Sequence, residues 1–211
     1  MKMALEPFDW SVVIVGRWNQ AILTPKGIAT KLFGIADAKG LEIGVPLDGL
    51  SPYRVKHPDK NLFVETESSK ILIHIIDPPD YDRFTAAMEV GVRTLKWLPE
   101  TPVSAAGFNL KFSTDDYDDT MIKLVESNAD GPLTDLGNKI IQRTMNRSLE
   151  YKMGSLNLIA MINEKGFELS YNFHCGSNKT DDLIKWLETP ATEIENMVSN
   201  VLTKLELEVE E

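Results

Sequence analysis

His174 and Cys175 are adjacent at the end of a strand-like run, Phe167 to Phe173, and His74 sits near the end of another, Ile71 to Ile76. Imidazole and thiol are metal ligands, and together they can form a nucleophile with its base. A lone cysteine on a strand more often packs as a small hydrophobe. His74, between Ile73 and Ile75, reads equally as a hydrogen-bonded polar residue on a sheet face. We therefore keep His74, His174 and Cys175 as candidate ligand-binding residues of a pocket between a sheet and a long helix. No catalytic residue and no metal ligand is assigned, and no cofactor is expected.

A second concentration of chemistry is the acidic run Asp115, Asp116, Asp118 and Asp119. Carboxylates so clustered can bind Mg²⁺ or Ca²⁺. Counted from Asp115, however, the sixth residue is Thr120 where an EF-hand loop needs glycine, although the twelfth is Glu126. Acids also gather before a helix N-terminus, where the macrodipole favours them, and that reading is preferred. Asp77-Pro78-Pro79-Asp80 joins a strand to a helix, a place where α/β proteins hold phosphates, but it lacks the glycine that lets an anion reach the backbone. Phosphate loops, dinucleotide fingerprints, His-Glu-x-x-His and the Gly-x-Ser-x-Gly elbow are all missing.

The elements that must position these residues follow from periodicity. Trp10 to Trp18 is β-branched and apolar, as a buried strand requires. Thr24-Pro25 opens a short helix closing at Gly34, and Leu41 to Leu47 alternates like a strand after a turn at Asp37 to Gly40. After a turn cluster at Asp48 to Pro52, Tyr53 to His57, Leu62 to Thr66 and Ile71 to Ile76 read as a meander. The last of these reads as buried on both faces, hence central. A helix over 81–98 carries Phe84, Ala87, Met88, Gly91, Leu95 and Leu98 on one stripe, capped by Asp80 and stopped by Pro99. Val103 to Phe112 is a strand, and a short helix spans Thr120 to Ser127. Three strands follow, Ile140 to Lys152, Leu156 to Asn163 and Phe167 to Phe173, the last two joined by a hairpin at Glu164-Lys165-Gly166. A final helix over 180–205 begins with Thr180 as its cap and is kinked or restarted at Thr189-Pro190; the acidic tail Glu206 to Glu211 frays.

The expected fold class is thus α+β, a mainly antiparallel sheet of about seven to nine strands with two long amphipathic helices packed on it. Lys96-Trp97-Leu98 and Lys185-Trp186-Leu187, each trailed by Thr-Pro, raise a duplication into two similar meander-plus-helix halves. Shared helix-stop chemistry explains so short an echo more simply. The Gly131-Pro132 stretch is the best boundary, dividing residues 1–127 from 138–211 by a linker at 128–137, or else one domain is continuous.

Composition narrows the function classes. With 211 residues, 32 acidic and 22 basic, the formal charge is −10, which disfavours nucleic acid as a partner. Lys139, Arg143, Arg147 and Lys152 are the one basic neighbourhood. A single cysteine permits no intrachain disulfide, no signal-peptide h-region opens the chain, and no apolar run suffices to cross a bilayer, so a reducing cytoplasm and no membrane are expected. The leading expectation is a non-enzymatic interaction protein (adaptor, accessory subunit or chaperone-like module) that binds a protein partner or itself as a homodimer through sheet and helix surfaces. Trp97, Trp186, Met197 and Val201 are its candidate interface residues. A small enzyme or ligand-binding protein using the histidines and Cys175 is the alternative.

Overall fold

The computed structural model describes residues 4–36, 40–45, 52–76 and 78–209. The turn residues Asp37 to Lys39, Asp48 to Ser51 and Asp77, the strand end Pro46-Leu47, and Glu210-Glu211 of the tail lie outside the described residues. The rest is α+β, built on one large antiparallel sheet. Its strands are β1 (Ala4–Gly16), β2 (Glu42–Gly44), β3 (Arg54–Lys56), β4 (Leu62–Thr66), β5 (Lys70–Ile75), β6 (Val103–Thr114), β7 (Arg143–Tyr151), β8 (Gly154–Asn163) and β9 (Gly166–Gly176). A two-residue strand, β10 (Glu208–Val209), runs parallel to the start of β1. The helices are α1 (Pro25–Gly27), continued by a π-helical turn Ile28–Leu32, then α2 (Tyr81–Trp97), α3 (Asp119–Val125), α4 (Asp130–Asp135), α5 (Thr180–Leu187) and α6 (Ala191–Lys204).

Across the sheet the order is β2-β3-β4-β5-β1-β6-β9-β8-β7. The arrangement is two-fold about the β1–β6 pair. β1 pairs with β5, which leads into α2; β6 pairs with β9, which leads into α5. The echoing Trp97 and Trp186 fall at the ends of these two corresponding helices. Residues 128–137, expected as a linker, hold α4 on the way from α3 to β7, and the sheet is hydrogen-bonded continuously through both halves.

Three expectations need correction. The 180–205 helix is two helices broken at Thr189-Pro190, because proline brings no N–H to the ladder and its ring clashes with the preceding turn. Thr180 is the first residue of α5 rather than its cap; Lys179 holds that place. Nor is β5 the central, doubly buried strand. Ile71, Ile73 and Ile75 are buried while Leu72 and His74 on its other side are only partly covered, and β1 and β6 occupy the centre.

That alternation recurs along β4, β8 and β9, and it defines the architecture. One sheet face packs on the helices; the other carries no helix among the described residues. The core lies between sheet and helices, where Trp10 meets Tyr81 at 4.9 Å, Phe112 at 5.6 Å and Phe84 at 6.0 Å between ring centres. Phe84, Ala87, Met88, Gly91 and Leu95 of α2 and Ile194, Val198 and Leu202 of α6 are buried, so the apolar helix stripes serve the sheet. Local chemistry agrees. Asp80 Oδ1 accepts from the Arg83 N–H at 2.7 Å to cap α2, and Asp118 Oδ1 accepts from Thr120 and Met121 at 3.0 Å each to cap α3. The acidic run thus meets a helix N-terminus, as its preferred reading required.

Candidate binding face

The face of the sheet opposite the helices carries none of them among the described residues, and its chemistry is organised in rows across the strands. Register puts one residue of each strand on a single transverse line: Glu42, Lys56, Phe63, His74, Ser11, Asn109, Asn172, Asn157 and Ser148, from β2 to β7. Five of these form a continuous hydrogen-bonded chain. Ser148 Oγ donates to Asn157 Oδ1 at 2.7 Å, Asn157 Nδ2 to Asn172 Oδ1 at 3.0 Å, Asn172 Nδ2 to Asn109 Oδ1 at 2.7 Å, and Asn109 Nδ2 to Ser11 Oγ at 3.2 Å. Each asparagine uses one N–H and one oxygen lone pair in the row and keeps a second donor and acceptor for a ligand.

The line continues beyond Ser11 in a different key. His74 stacks on Phe63 with centroids 4.5 Å apart and planes inclined by 16°. Lys56 pairs with Glu42 at 2.9 Å. Desolvation by its neighbours lowers the His74 pKa, against a smaller upward pull from Glu65 and Asp9, so the ring is neutral at pH 7. Asp9, at positive φ where β1 bulges against β6, lies 3.9 Å from His74 Nδ1 and 2.5 Å from Lys111 Nζ. Bases on this face stand beside acids, Lys111 with Asp9, Lys56 with Glu42, and Arg54 with Glu65 at 2.8 Å, and Glu168 and Glu150 add further carboxylates to it. The middle of the face, with Val13, Ser11, Gly107, Asn109 and Asn172, carries none.

The candidate ligand-binding residues do not converge. His74 on β5 and His174 on β9 both face the open side, but β1 and β6 intervene, a separation of three strand spacings or about 14 Å. Cys175 points the other way, into the core, 1% exposed with Sγ 3.9 Å from the Met153 carbonyl oxygen. Burial raises its pKa, helped by Asp182, so the thiol is neutral and shielded. Period-two alternation alone puts His174 and Cys175 on opposite faces.

The candidate interface residues are likewise placed by packing. Trp186 is in the core, 1% exposed, stacked on Phe108 at 5.9 Å with planes 6° apart. Its indole N–H is buried and finds no acceptor. Trp97, Met197 and Val201 are partly buried against the same core. Sequence reasoning passed over the asparagine row altogether. The available signal was an asparagine in the middle of each of three apolar strands (Asn109, Asn157 and Asn172), a residue that strands disfavour unless its amide is used.

No protein-family model matches the chain, and no curated protein matches it. Among solved structures the chain is similar to Methanococcus jannaschii TBP, at 10% sequence identity over 97% of this chain and 99% of that one, with a TM-score of 0.31. So slight a likeness supports no inference.

Proposed function

We propose that this is a non-enzymatic interaction protein, an adaptor, accessory subunit or chaperone-like module of the cytoplasm, and that it holds a protein partner on the open face of its sheet. The observation that carries this reading is the Ser148-Asn157-Asn172-Asn109-Ser11 row. A hydrogen-bonded row of amides on a face without a covering layer presents fixed donors and acceptors whose ordering cost is already met in the free protein. Charge supports a protein partner over a polyanion. The flanking bases are matched by acids on the same face, and the whole chain is at −10, so nothing there attracts phosphate at long range. Helix surfaces contribute less, since the stripes of α2 and α6 are occupied by the sheet.

The test is native mass spectrometry of protein purified from its own host, comparing wild type with Asn109→Arg. The arginine places an unpaired charge in the middle of the row, and circular dichroism verifies that the variant is folded. Wild type should hold a partner protein or a second copy that N109R releases. A wild-type protein that stays monomeric and bare at high concentration, or an N109R protein that retains the same mass, sinks the reading.

A further inference from the structure

The sheet ends on β7, and that edge differs from its counterpart. β2 at the opposite end is three residues long, whereas β7 presents nine residues without a proline, and among the described residues nothing pairs with its outer side. Long unpaired edges are usually shortened, bulged or covered, because their free N–H and C=O groups accept any extended chain. The side chains around this edge are mostly apolar and basic, with Glu150 the single acid of the strand itself. Leu149 is 42% exposed, and Ile141 and Met153, which flank the strand, are 79% and 48% exposed. Arg143 and Lys152 already have carboxylates, Asp130 and Glu193. Arg147 donates only to the Asn146 carbonyl oxygen and has no carboxylate partner among the described residues. At the start of the strand a cavity of about 400 Å³ is lined by Tyr117, Lys139, Arg143 and Lys165 with Glu164, three bases against one acid.

From this combination we propose that β7 is a strand-addition site for an acidic, apolar extended peptide segment of a partner protein. Backbone pairing supplies the affinity, and alternate side chains supply the selectivity. On the helix side of the sheet the added strand meets Met145, Arg147 and Leu149, so it takes carboxylates and apolar groups there. On the open side it meets Thr144, Asn146, Ser148 and Glu150, so it carries small polar groups rather than carboxylates there. A small polar residue opposite Ser148 donates to the serine oxygen, whose own hydrogen is committed to Asn157, and so lengthens the polar row by one strand. A carboxylate running past the end of β7 enters the cavity beside Lys139 and Lys165. A second copy of this chain fits less well: pairing two β7 strands antiparallel about their middle sets Arg147 of one copy against Arg147 of the other, on molecules that each carry −10. This site lies at the sheet's edge rather than on its open face, so its failure leaves the reading of the face standing, and the reverse.

The experiment uses the full chain and a synthetic octapeptide, Ser-Glu-Thr-Val-Asn-Glu-Ser-Leu, with a control in which both glutamates are lysine. Amide hydrogen exchange and binding are followed for wild type and Arg147→Glu. Expected are slower exchange confined to β7 and its neighbours, binding that weakens as salt rises, and about tenfold weaker binding to R147E, with the lysine peptide preferring R147E over wild type. Three results would overturn the proposal: no binding up to about 1 mM peptide, binding that leaves β7 exchange unchanged, or β7 protection that depends on protein concentration without peptide, which identifies a second copy as the occupant.

Discussion

Asn172 Nδ2 donates to Asn109 Oδ1 at 2.7 Å across the β6–β9 pair, while Asn172 Oδ1 accepts from Asn157 Nδ2 on its other side. Asn109 passes the chain on to Ser11 of β1, so the row links β9 to β6 and β6 to β1 through side chains as well as through the backbone ladders.

That link should be measurable as a coupling. In urea denaturation, Asn172→Ala and Asn109→Ala should each destabilise by about 1 kcal/mol, with a coupling in the double-mutant cycle of roughly 0.5–1 kcal/mol. Additivity within error would mean that the two amides act independently of one another.

Trp186→Ala should be the more damaging of the two echoing tryptophan substitutions. It removes a fully buried ring stacked on Phe108 and should cost about 3–5 kcal/mol, against less for the partly buried Trp97. Equal losses at both sites would contradict the asymmetric packing of the two corresponding helices.

Gly166 closes the β8–β9 hairpin at φ +120°, and a Cβ there would stand 2.1 Å from the Thr114 carbonyl oxygen. Gly166→Ala should therefore lower stability by more than about 1 kcal/mol, since both backbone strain and a clash with main chain oppose it. An unchanged thermal midpoint would show that the hairpin adopts another turn.

Alkaline pH should loosen the fold through Tyr151. Burial first, and then Glu193, whose carboxylate accepts the phenol at 3.3 Å, push its pKa up to about 12. The folded protein thus keeps a proton that the unfolded chain releases near 10.0, the ordinary value for a tyrosine phenol. Unfolding free energy should fall as pH rises from there towards about 12, because the unfolded state binds fewer protons. Tyr151→Phe should flatten that fall in denaturation curves taken at successive pH values. The same slope in both proteins would assign the alkaline loss to other groups. Tyr81 and Tyr171, both raised by burial, act in the same direction.

Much of the fold was legible because secondary structure is written locally. β4 covers Leu62–Thr66 and α2 Tyr81–Trp97, close to where alternation, the Asp80 cap and the Pro99 stop put them, and the Glu164-Lys165 turn joins β8 to β9. Misreadings arose where burial depends on a second layer. Ile71 to Ile76 is apolar enough for two covered faces, but only one face of β5 has helices on it. Trp186 reads by default as core and besides as a candidate interface residue, and nothing within its own helix could tell that Phe108, 78 positions earlier, lay beneath it.

The sequence by itself determined the α+β class, the places of β4, α2 and the β8–β9 turn, and the Asp80 cap, since each depends on residues within a few positions of one another. Only the tertiary structure decided that Ser11, Asn109, Asn157, Asn172 and Ser148 share one row, that His174 and Cys175 part company with His74, and that among the described residues β7 ends the sheet with no carboxylate on Arg147. The physical reason is register. A strand's own pattern says which residues share a face, but which of them stand opposite one another depends on how distant segments are aligned, and a slip of one residue would reverse every side chain.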